Sequence, residues 1–194
     1  MPHRTLADLE PHLGHLRAAP ADQGQVVMVV CRPSTGRRRL LAEGRIDPEL
    51  GLVGDDWSTR PTRAPGGRPD PDKQVTVMNA RMVALLDESP HRQALAGDQL
   101  YVDLDLSVDN LPPGARIAVG EAVLEVTDKA HLGCAKFVRY FGEEAMRFVN
   151  GRIGRRLRLR GLNARVVTPG TVRPGDLVTV VHRDAMLDVH VSVG

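Results

Sequence analysis

Apolar and β-branched residues recur along most of the chain with a period of two, and this pattern predicts strands. Residues 25–31 form a β-branched run that is typical of a buried strand. Residues 100–106 alternate Leu or Val with Asp or Tyr, which is typical of a strand with one buried face. A hairpin is predicted from 116–119 and 122–127 about Gly120. Further strands are predicted at 40–46, 74–77, 164–168, 176–181 and 189–193.

Helical spacing occurs only in short stretches. In residues 5–18, leucines recur at steps of three and four, and Thr5 and Asp8 have the spacing of a capping box. Pro11 predicts a break within this stretch, because an interior proline removes a helical hydrogen bond. Further short helices are predicted at 79–88 with Asn79 as cap, 90–97 with Ser89 as cap, 135–141 and 143–149, the last two separated by Gly142.

These elements together predict a mainly β fold. We expect a small closed or partly open β-barrel with several short inserted helices, because closely spaced strands and Pro/Gly turns favour a barrel over a layered α/β fold. The length of 194 residues predicts one barrel domain at 25–194, with 1–24 as a helical extension packed on it. Residues 47–73 are rich in Gly, Pro, Asp and Arg, and a stretch of this length is usually functional.

Composition excludes several classes of protein. The net charge of +2 and an aromatic content of 3% argue against nucleic-acid binding through a basic face or a stacking platform. No apolar run approaches the ~20 residues of a membrane span, and the N-terminus lacks the apolar core of a secretory signal. Two cysteines cannot form a disulfide framework. We therefore expect a cytoplasmic protein with no membrane or nucleic-acid partner.

Cys134 is the first candidate for chemistry. It lies at a predicted strand-to-helix junction with His131 three residues before it and Lys136 two residues after it. A helix start, a histidine and a lysine are features that lower a thiol pKa, and a thiolate attacks electrophiles or binds soft metals. A small buried core residue is an equally good interpretation. Cys31 ends an apolar strand and is predicted to pack in the core, and too few further ligands stand nearby to predict zinc.

Polar residues elsewhere offer weaker candidates. Six arginines and no acidic residue occur in 152–165, which suits either a phosphate site or a solvated surface, and Arg165 in the strand pattern is the one expected to have a specific partner. Asp55 follows Gly54 and suits turn formation or the shaping of a pocket. Lys73 and Gln74 leave the long loop, where they face a pocket or an exposed edge.

Five segments in order across about 44–181 resemble the MOSC domain, named for the C-terminal module of molybdenum cofactor sulfurases. They are the glycine-aspartate loop at 51–56, Lys-Gln-Val-Thr at 73–76, the hairpin at 111–127, Gly-Cys at 133–134 and the closing segment at 161–176. The resemblance implies a β-rich barrel in which Cys134 carries sulfur or ligates the molybdenum of a pterin cofactor.

The resemblance also implies the surroundings of that cysteine. Lys73, Gln74, Asp55 and Arg165, with His131 and Lys136 from the cysteine segment, become candidates for binding the cofactor. Relatives either transfer sulfur or reduce N-hydroxylated compounds. Pyridoxal phosphate is expected only on a partner cysteine desulfurase, and a reductase would need an electron-transfer partner and a small-molecule substrate.

A different class of function stays open. The chain is also compatible with a non-catalytic module that binds a small molecule on the same barrel, in which case Cys134 is buried and ordinary. Nucleic-acid binding through the arginines of 152–165 is the weakest alternative, because net charge and aromatic content oppose it.

Overall fold

The computed structural model describes residues 3–60, 67 and 69–183. The strands of this part are β1 Gln23–Cys31, β2 Arg39–Leu41, β3 Gly44–Asp47, β4 Gly51–Leu52, β5 Val75–Asn79, β6 Leu100–Asp103, β7 Arg116–Val119, β8 Ala122–Val126, β9 Leu162–Thr168, β10 Gly170–Val172 and β11 Leu177–His182. The helices are α1 Leu6–Leu9, α2 Leu13–Arg17, α3 Ala80–Leu86, α4 Pro90–Gln93, α5 Ala135–Phe141, α6 Glu143–Asn150 and α7 Arg152–Arg156. Short 3-10 turns occupy Glu10–His12, Pro71–Lys73 and Ala94–Ala96.

Seven of the described strands close into a barrel in the order β11-β7-β8-β9-β5-β6-β1. Closure comes from the antiparallel pairing of β1 with β11, in which Gln23 faces Thr179. β5 and β6 pair in parallel, and β2 pairs antiparallel with the C-terminal part of β1, at residues 29–31. A second sheet has the order β10-β3-β4. The predicted mainly β barrel with short helical inserts is confirmed.

The alternation of side chains along the strands divides the apolar residues between two cores. In β1, Val29 faces the barrel interior, whereas Val30 faces outward against the helices. β5 does the same with Val77 inside and Met78 outside. The outer core therefore joins the helices to the barrel wall, and Leu9 of α1 is buried in it.

Local signals placed most elements correctly. Thr5 and Asp8 form the predicted capping box, and a 3-10 turn separates α1 from α2 at Pro11. Asn79 caps α3, with its side chain accepting hydrogen bonds from the backbone N–H groups of Arg81 and Met82. α5 and α6 are separated at Gly142 as predicted.

Three details differ from the predictions. The strand predicted at 40–46 is two strands, β2 and β3, which belong to different sheets because the chain bends at Ala42. Gly44 begins β3 in close contact with both sheets, since a Cβ there would lie 2.8 Å from the Leu52 side chain and 2.9 Å from that of Val29. The Ser89 side chain makes no capping bond, and its backbone N–H donates to Asp87 instead. Tyr101, expected on the polar face of β6, is buried in the outer core. The strand predicted at 189–193 lies outside the described residues.

Candidate functional site

Cys134 is the N-cap residue of α5, and its thiol is free and exposed. The backbone before it is held firmly. The Gly133 N–H donates to Asn150 Oδ1 at 2.9 Å, and Asn150 Nδ2 donates to the Gly133 carbonyl at 3.1 Å. Cys134 is therefore a surface thiol on a fixed backbone, and the alternative of a buried core cysteine is wrong.

A buried charged cluster lies behind the loop that carries Cys134. His131 Nε2 is 2.6 Å from Asp98 Oδ1, and Arg160 Nη1 is 2.6 Å from Asp98 Oδ2. The Asp98 side chain has no exposed surface. Arg160 also donates through Nη2 to the Ala96 carbonyl, and its guanidinium lies over the Phe137 ring of α5, 5.2 Å from the centroid. The Asp98 carboxylate and the Arg160 guanidinium therefore connect the Cys134 loop to α5 and to the 3-10 turn at Ala94–Ala96.

The electrostatics of the cluster keep Asp98 ionised. Burial alone would raise the pKa of Asp98, but the Arg160 charge and the contact with His131 outweigh burial and hold that pKa below its ordinary value. Burial and the Arg160 charge lower the pKa of His131 in spite of its carboxylate partner. His131 Nε2 also lies 2.8 Å from Arg160 Nη1, so this one ring nitrogen contacts both the carboxylate and the guanidinium of the cluster.

Sequence reasoning did not single out Asp98 or Arg160. Asp98 follows Gly97, whose φ of 96° ends the preceding turn, and Arg160 was one of six arginines in a run. The pair is separated by 62 residues along the chain, so no local pattern joins them. The signal that was present is a charged residue two positions before an apolar strand, as Asp98 is before β6.

A second buried pair lies under the start of the long loop. Asp55 accepts from Arg32 Nε at 2.8 Å and from Arg32 Nη2 at 2.7 Å, in a bidentate pair. Asp55 also accepts from the Trp57 backbone, and Arg32 Nη1 donates to the Gly97 carbonyl. Asp55, a predicted cofactor-binding residue, thus directs its oxygens into the protein and connects the loop to the turn that carries Asp98.

Arg38 is a cation at this same turn with an incomplete set of partners. Its Nη2 lies 3.2 Å from the position of a Cβ on Gly97, and its buried Nε has no hydrogen-bond partner among the described residues. Burial, followed by the charge of Arg32, lowers the pKa of Arg38. A buried guanidinium N–H without a partner costs stability, and an incoming acceptor would satisfy it.

The remaining predicted residues lie in two places: Lys73, Gln74 and Arg165 lie where the 3-10 turn Pro71–Lys73 meets β9, and Lys136 lies on α5. Gln74 is buried and links two segments, because Nε2 donates to the Pro48 carbonyl at 2.6 Å and Oε1 accepts from the Val166 N–H at 2.9 Å. Lys73 is exposed, 4.0 Å from Asp70.

Arg165 has the specific partners that were expected: it pairs with Glu125, and it lies 3.5 Å from Asp72. Lys136 is exposed in the first turn of α5. None of the described hydrogen bonds or ion pairs connects Lys73, Gln74 or Arg165 to Cys134.

Cys31 has the opposite environment from Cys134. It is fully buried in the barrel core, and its thiol donates to the Gly54 carbonyl with an S···O distance of 3.0 Å. Burial, and after it the nearby charge of Asp55, raises the pKa of the Cys31 thiol. Cys31 packs in the core as predicted.

Two other kinds of site are absent from the part of the chain that the structure describes. Among residues 3–60, 67 and 69–183, no three His, Cys, Asp or Glu side chains come together as a metal cluster. Within the same part of the chain, no helix is long and apolar enough to cross a membrane.

Comparison with known proteins identifies the family. The family model described as the MOSC domain matches residues 61–179, which is more than half of the chain. The chain belongs to the MOSC domain family. No curated protein matches this MOSC protein.

Solved structures share the fold of this MOSC protein at low sequence identity. The YuaD protein from Bacillus subtilis is similar with a TM-score of 0.59 at 17% identity, over 80% of this chain and 94% of that one. YiiM from Escherichia coli has a TM-score of 0.52 at 22% identity, over 82% and 70% of the two chains. YiiM from Geobacillus stearothermophilus has a TM-score of 0.54 at 15% identity, over 82% and 76%. At these identities the likeness shows the fold.

Proposed function

We propose that this MOSC protein acts through Cys134, which ligates the molybdenum of a pterin cofactor or carries sulfur to an acceptor. The proposal rests on one observation: hydrogen bonds fix the backbone directly before Cys134, while the sulfur of Cys134 is exposed to solvent. Asn150 holds the Gly133 peptide from both sides, while the Cys134 thiol is free. A sulfur held in one place and open to solvent suits coordination and group transfer.

The residues present fit a molybdenum–pterin cofactor in their chemistry. A thiolate is a soft ligand of the kind that soft metals select, and Cys134 supplies it. The pterin part is anionic, and Arg38 offers a buried N–H with no partner among the described residues. Lys136, in the first turn of α5, adds an exposed cation. When bound, the cofactor would supply two-electron redox chemistry, and the expected reaction is reduction of an N-hydroxylated compound with electrons from a partner protein.

Sulfur transfer would use the same thiol without a metal. The Cys134 thiolate attacks the outer sulfur of a persulfide on a partner cysteine desulfurase. A new S–S bond forms on Cys134, the S–S bond of the donor breaks, and the partner cysteine leaves as a thiolate. The electrons balance within this exchange, so no external oxidant is needed. Pyridoxal phosphate belongs to the partner in this scheme. A reducing cytoplasm, which we propose as the compartment, keeps both thiols available.

The test is a loading experiment with a matched cysteine control. Wild type, Cys134→Ala and Cys31→Ala are expressed in a host that makes molybdopterin. Molybdenum is measured by elemental analysis, and persulfide is measured by mass spectrometry after incubation with a cysteine desulfurase and cysteine. We expect wild type and Cys31→Ala to carry molybdenum or persulfide and Cys134→Ala to carry neither. Equal loading of wild type and Cys134→Ala, or no loading of either, would overturn the proposal.

A non-catalytic binding module is the second candidate, and one observation favours it. Asp55 and Gln74, two of the predicted cofactor-binding residues, use their polar groups for contacts inside the protein. In that case Cys134→Ala would leave ligand binding unchanged, and wild type would carry neither molybdenum nor persulfide.

A further inference from the structure

A cavity separate from the Cys134 thiol opens between the 127–132 loop and α7. It has a volume of about 230 Å³, and Cys134 is not among the residues that line it. Apolar side chains form part of the wall. Two of them, Val108 and Leu132, are large hydrophobic residues with 41% and 42% of their surface exposed. Exposed apolar side chains at the wall of a cavity are typical of a binding site for a small molecule.

The polar part of the wall is strongly cationic. Lys129, Arg155, Arg158 and Arg160 line the cavity, and Asp128 is the carboxylate among its lining residues. Asp128 is already 3.3 Å from the Lys129 ammonium. Arg160 is paired with Asp98, as described above. The arginines at 155 and 158 have no ion-pair partner in the part of the chain that the structure describes.

Two of these cations have incomplete hydrogen bonding. Arg160 Nε is buried and has no hydrogen-bond partner among the described residues. Arg158 Nη1 donates to the Leu111 carbonyl at 2.5 Å and to the Leu106 carbonyl at 3.5 Å, whereas no described hydrogen bond involves its Nε or Nη2. Much of the guanidinium is withdrawn from water, and burial lowers the pKa of Arg158 with no carboxylate opposing the effect. Withdrawing an unpaired charge from water is costly, and a bound anion would repay that cost.

The backbone at Arg158 is strained as well. Its φ is 46°, and it is the non-glycine residue with positive φ among those described. For a residue with a Cβ, the left-handed region is unfavourable. The Arg158 N–H donates to the Arg155 carbonyl, and the next N–H donates to the Gly154 carbonyl, so the turn is fixed. A glycine would remove the strain, and the arginine instead places its guanidinium in the wall of the cavity.

We propose that this cavity binds a small organic phosphate, with Arg155 and Arg158 on the phosphate and the apolar wall on the organic part. Phosphate oxygens match the forked N–H groups of guanidinium, and their charge would neutralise two arginines that have no ion-pair partner among the described residues. Arg155 Nε already donates to the Asn150 carbonyl, which leaves its Nη groups for the phosphate. The apolar wall favours an aromatic or aliphatic body over inorganic phosphate alone. Cys134 does not line the cavity, although His131 and Arg160 of the cluster behind it do, and we propose that phosphate binding does not require the Cys134 thiol.

The experiment is a calorimetric titration with phenyl phosphate, inorganic phosphate and phenol at constant ionic strength. For wild type we expect saturable binding of one phenyl phosphate per chain, weaker binding of inorganic phosphate and no saturable binding of phenol. Arg155→Gln and Arg158→Asn should each weaken phenyl phosphate binding by about tenfold or more. Asparagine is chosen at 158 because it tolerates the left-handed backbone.

Arg152→Gln is the matched control, because Arg152 lies in the same helix and outside the cavity. It should bind phenyl phosphate within about twofold of wild type, since a remote exposed charge contributes little. Arg155 is exposed, so its variant keeps the test valid even if Arg158→Asn fails to fold. Absence of saturable binding to wild type, or binding to Arg155→Gln that equals the control, would overturn the proposal. Loss of binding in Cys134→Ala would overturn the independence of the two sites.

Discussion

The two cysteines lie beside similar buried ion pairs and have opposite surroundings. Cys31 directly precedes Arg32, which pairs with Asp55. Cys134 lies three residues after His131, which contacts the buried pair of Asp98 and Arg160. At Cys31 the sulfur itself is buried and its thiol hydrogen is donated to a carbonyl. At Cys134 the backbone is fixed, while the sulfur reaches solvent.

This difference teaches that a buried charge pair beside a cysteine does not make the cysteine reactive. Both pairs hold a loop against the barrel, and the pairs meet through the 97–98 turn, where Arg32 donates to the Gly97 carbonyl. The two thiols differ in solvent exposure, because the folded chain covers the sulfur of Cys31 and leaves that of Cys134 uncovered. Cys31 packs in the barrel core, and the Cys134 thiol is exposed to solvent.

The largest expected effect comes from removing the pair behind Cys134. Asp98→Ala should lower the free energy of unfolding by about 3–5 kcal/mol, because it leaves the Arg160 guanidinium buried without its carboxylate. Asp55→Ala should have a similar cost beside Cys31, since Arg32 loses a bidentate partner. Urea unfolding measures both.

Asp109→Ala is the control for these variants, because Asp109 and its partner Arg156 are mostly exposed. It should change the free energy of unfolding by about 0–1 kcal/mol. If Asp98→Ala costs no more than this control, the cluster does not hold the Cys134 loop as described.

Replacing each cysteine with alanine should change the free energy of unfolding by different amounts at the two positions. Cys31→Ala should lower the free energy of unfolding by about 1 kcal/mol or more, because it leaves space in a packed core. Cys134→Ala should stay within about 0.5 kcal/mol of wild type, since an exposed side chain loses little on truncation. Urea unfolding of both variants at neutral pH decides this, and equal losses would contradict the contrast in packing.

A smaller effect is expected from pH. His131 has a pKa below its ordinary value of 6.5, so between the two values the unfolded chain takes up a proton that the folded protein does not. Stability should therefore fall as pH falls from 6.5 through the folded pKa of His131. The depressed pKa of Asp98 adds a further loss at lower pH, below the ordinary value of 3.8.

His131→Gln should remove the first part of this dependence and keep a hydrogen bond to Asp98. Thermal midpoints between pH 7.5 and pH 5 measure it. A wild-type midpoint that rises as pH falls, or a slope unchanged in His131→Gln, would show that His131 is not held neutral by burial.

Local sequence signals predicted most elements of this fold and singled out Cys134. They could not predict the contacts between segments that are far apart along the chain. The hairpin of β7 and β8 and the break at Gly142 follow from neighbouring residues, and the structure has both. Closure of the barrel by β1 and β11 joins residues more than 150 positions apart, and only the mainly β character pointed to it.

The candidate site shows the same limit. Cys134 was found from its position before a predicted helix, with His131 nearby. Arg160 and Asp98 were missed because their contact depends on two loops that meet only in the folded protein. Gln74 was expected near a pocket, and it instead links two loops, which no local pattern indicates.

The most direct test of the contrast between the cysteines is alkylation of the folded protein, followed by peptide mass spectrometry. Iodoacetamide at neutral pH should label Cys134 completely while Cys31 stays unlabelled until denaturant is added, since Cys31 reacts only when the barrel opens. Labelling of Cys31 as fast as Cys134 in the folded protein, or a Cys134 that resists labelling until unfolding, would contradict the account.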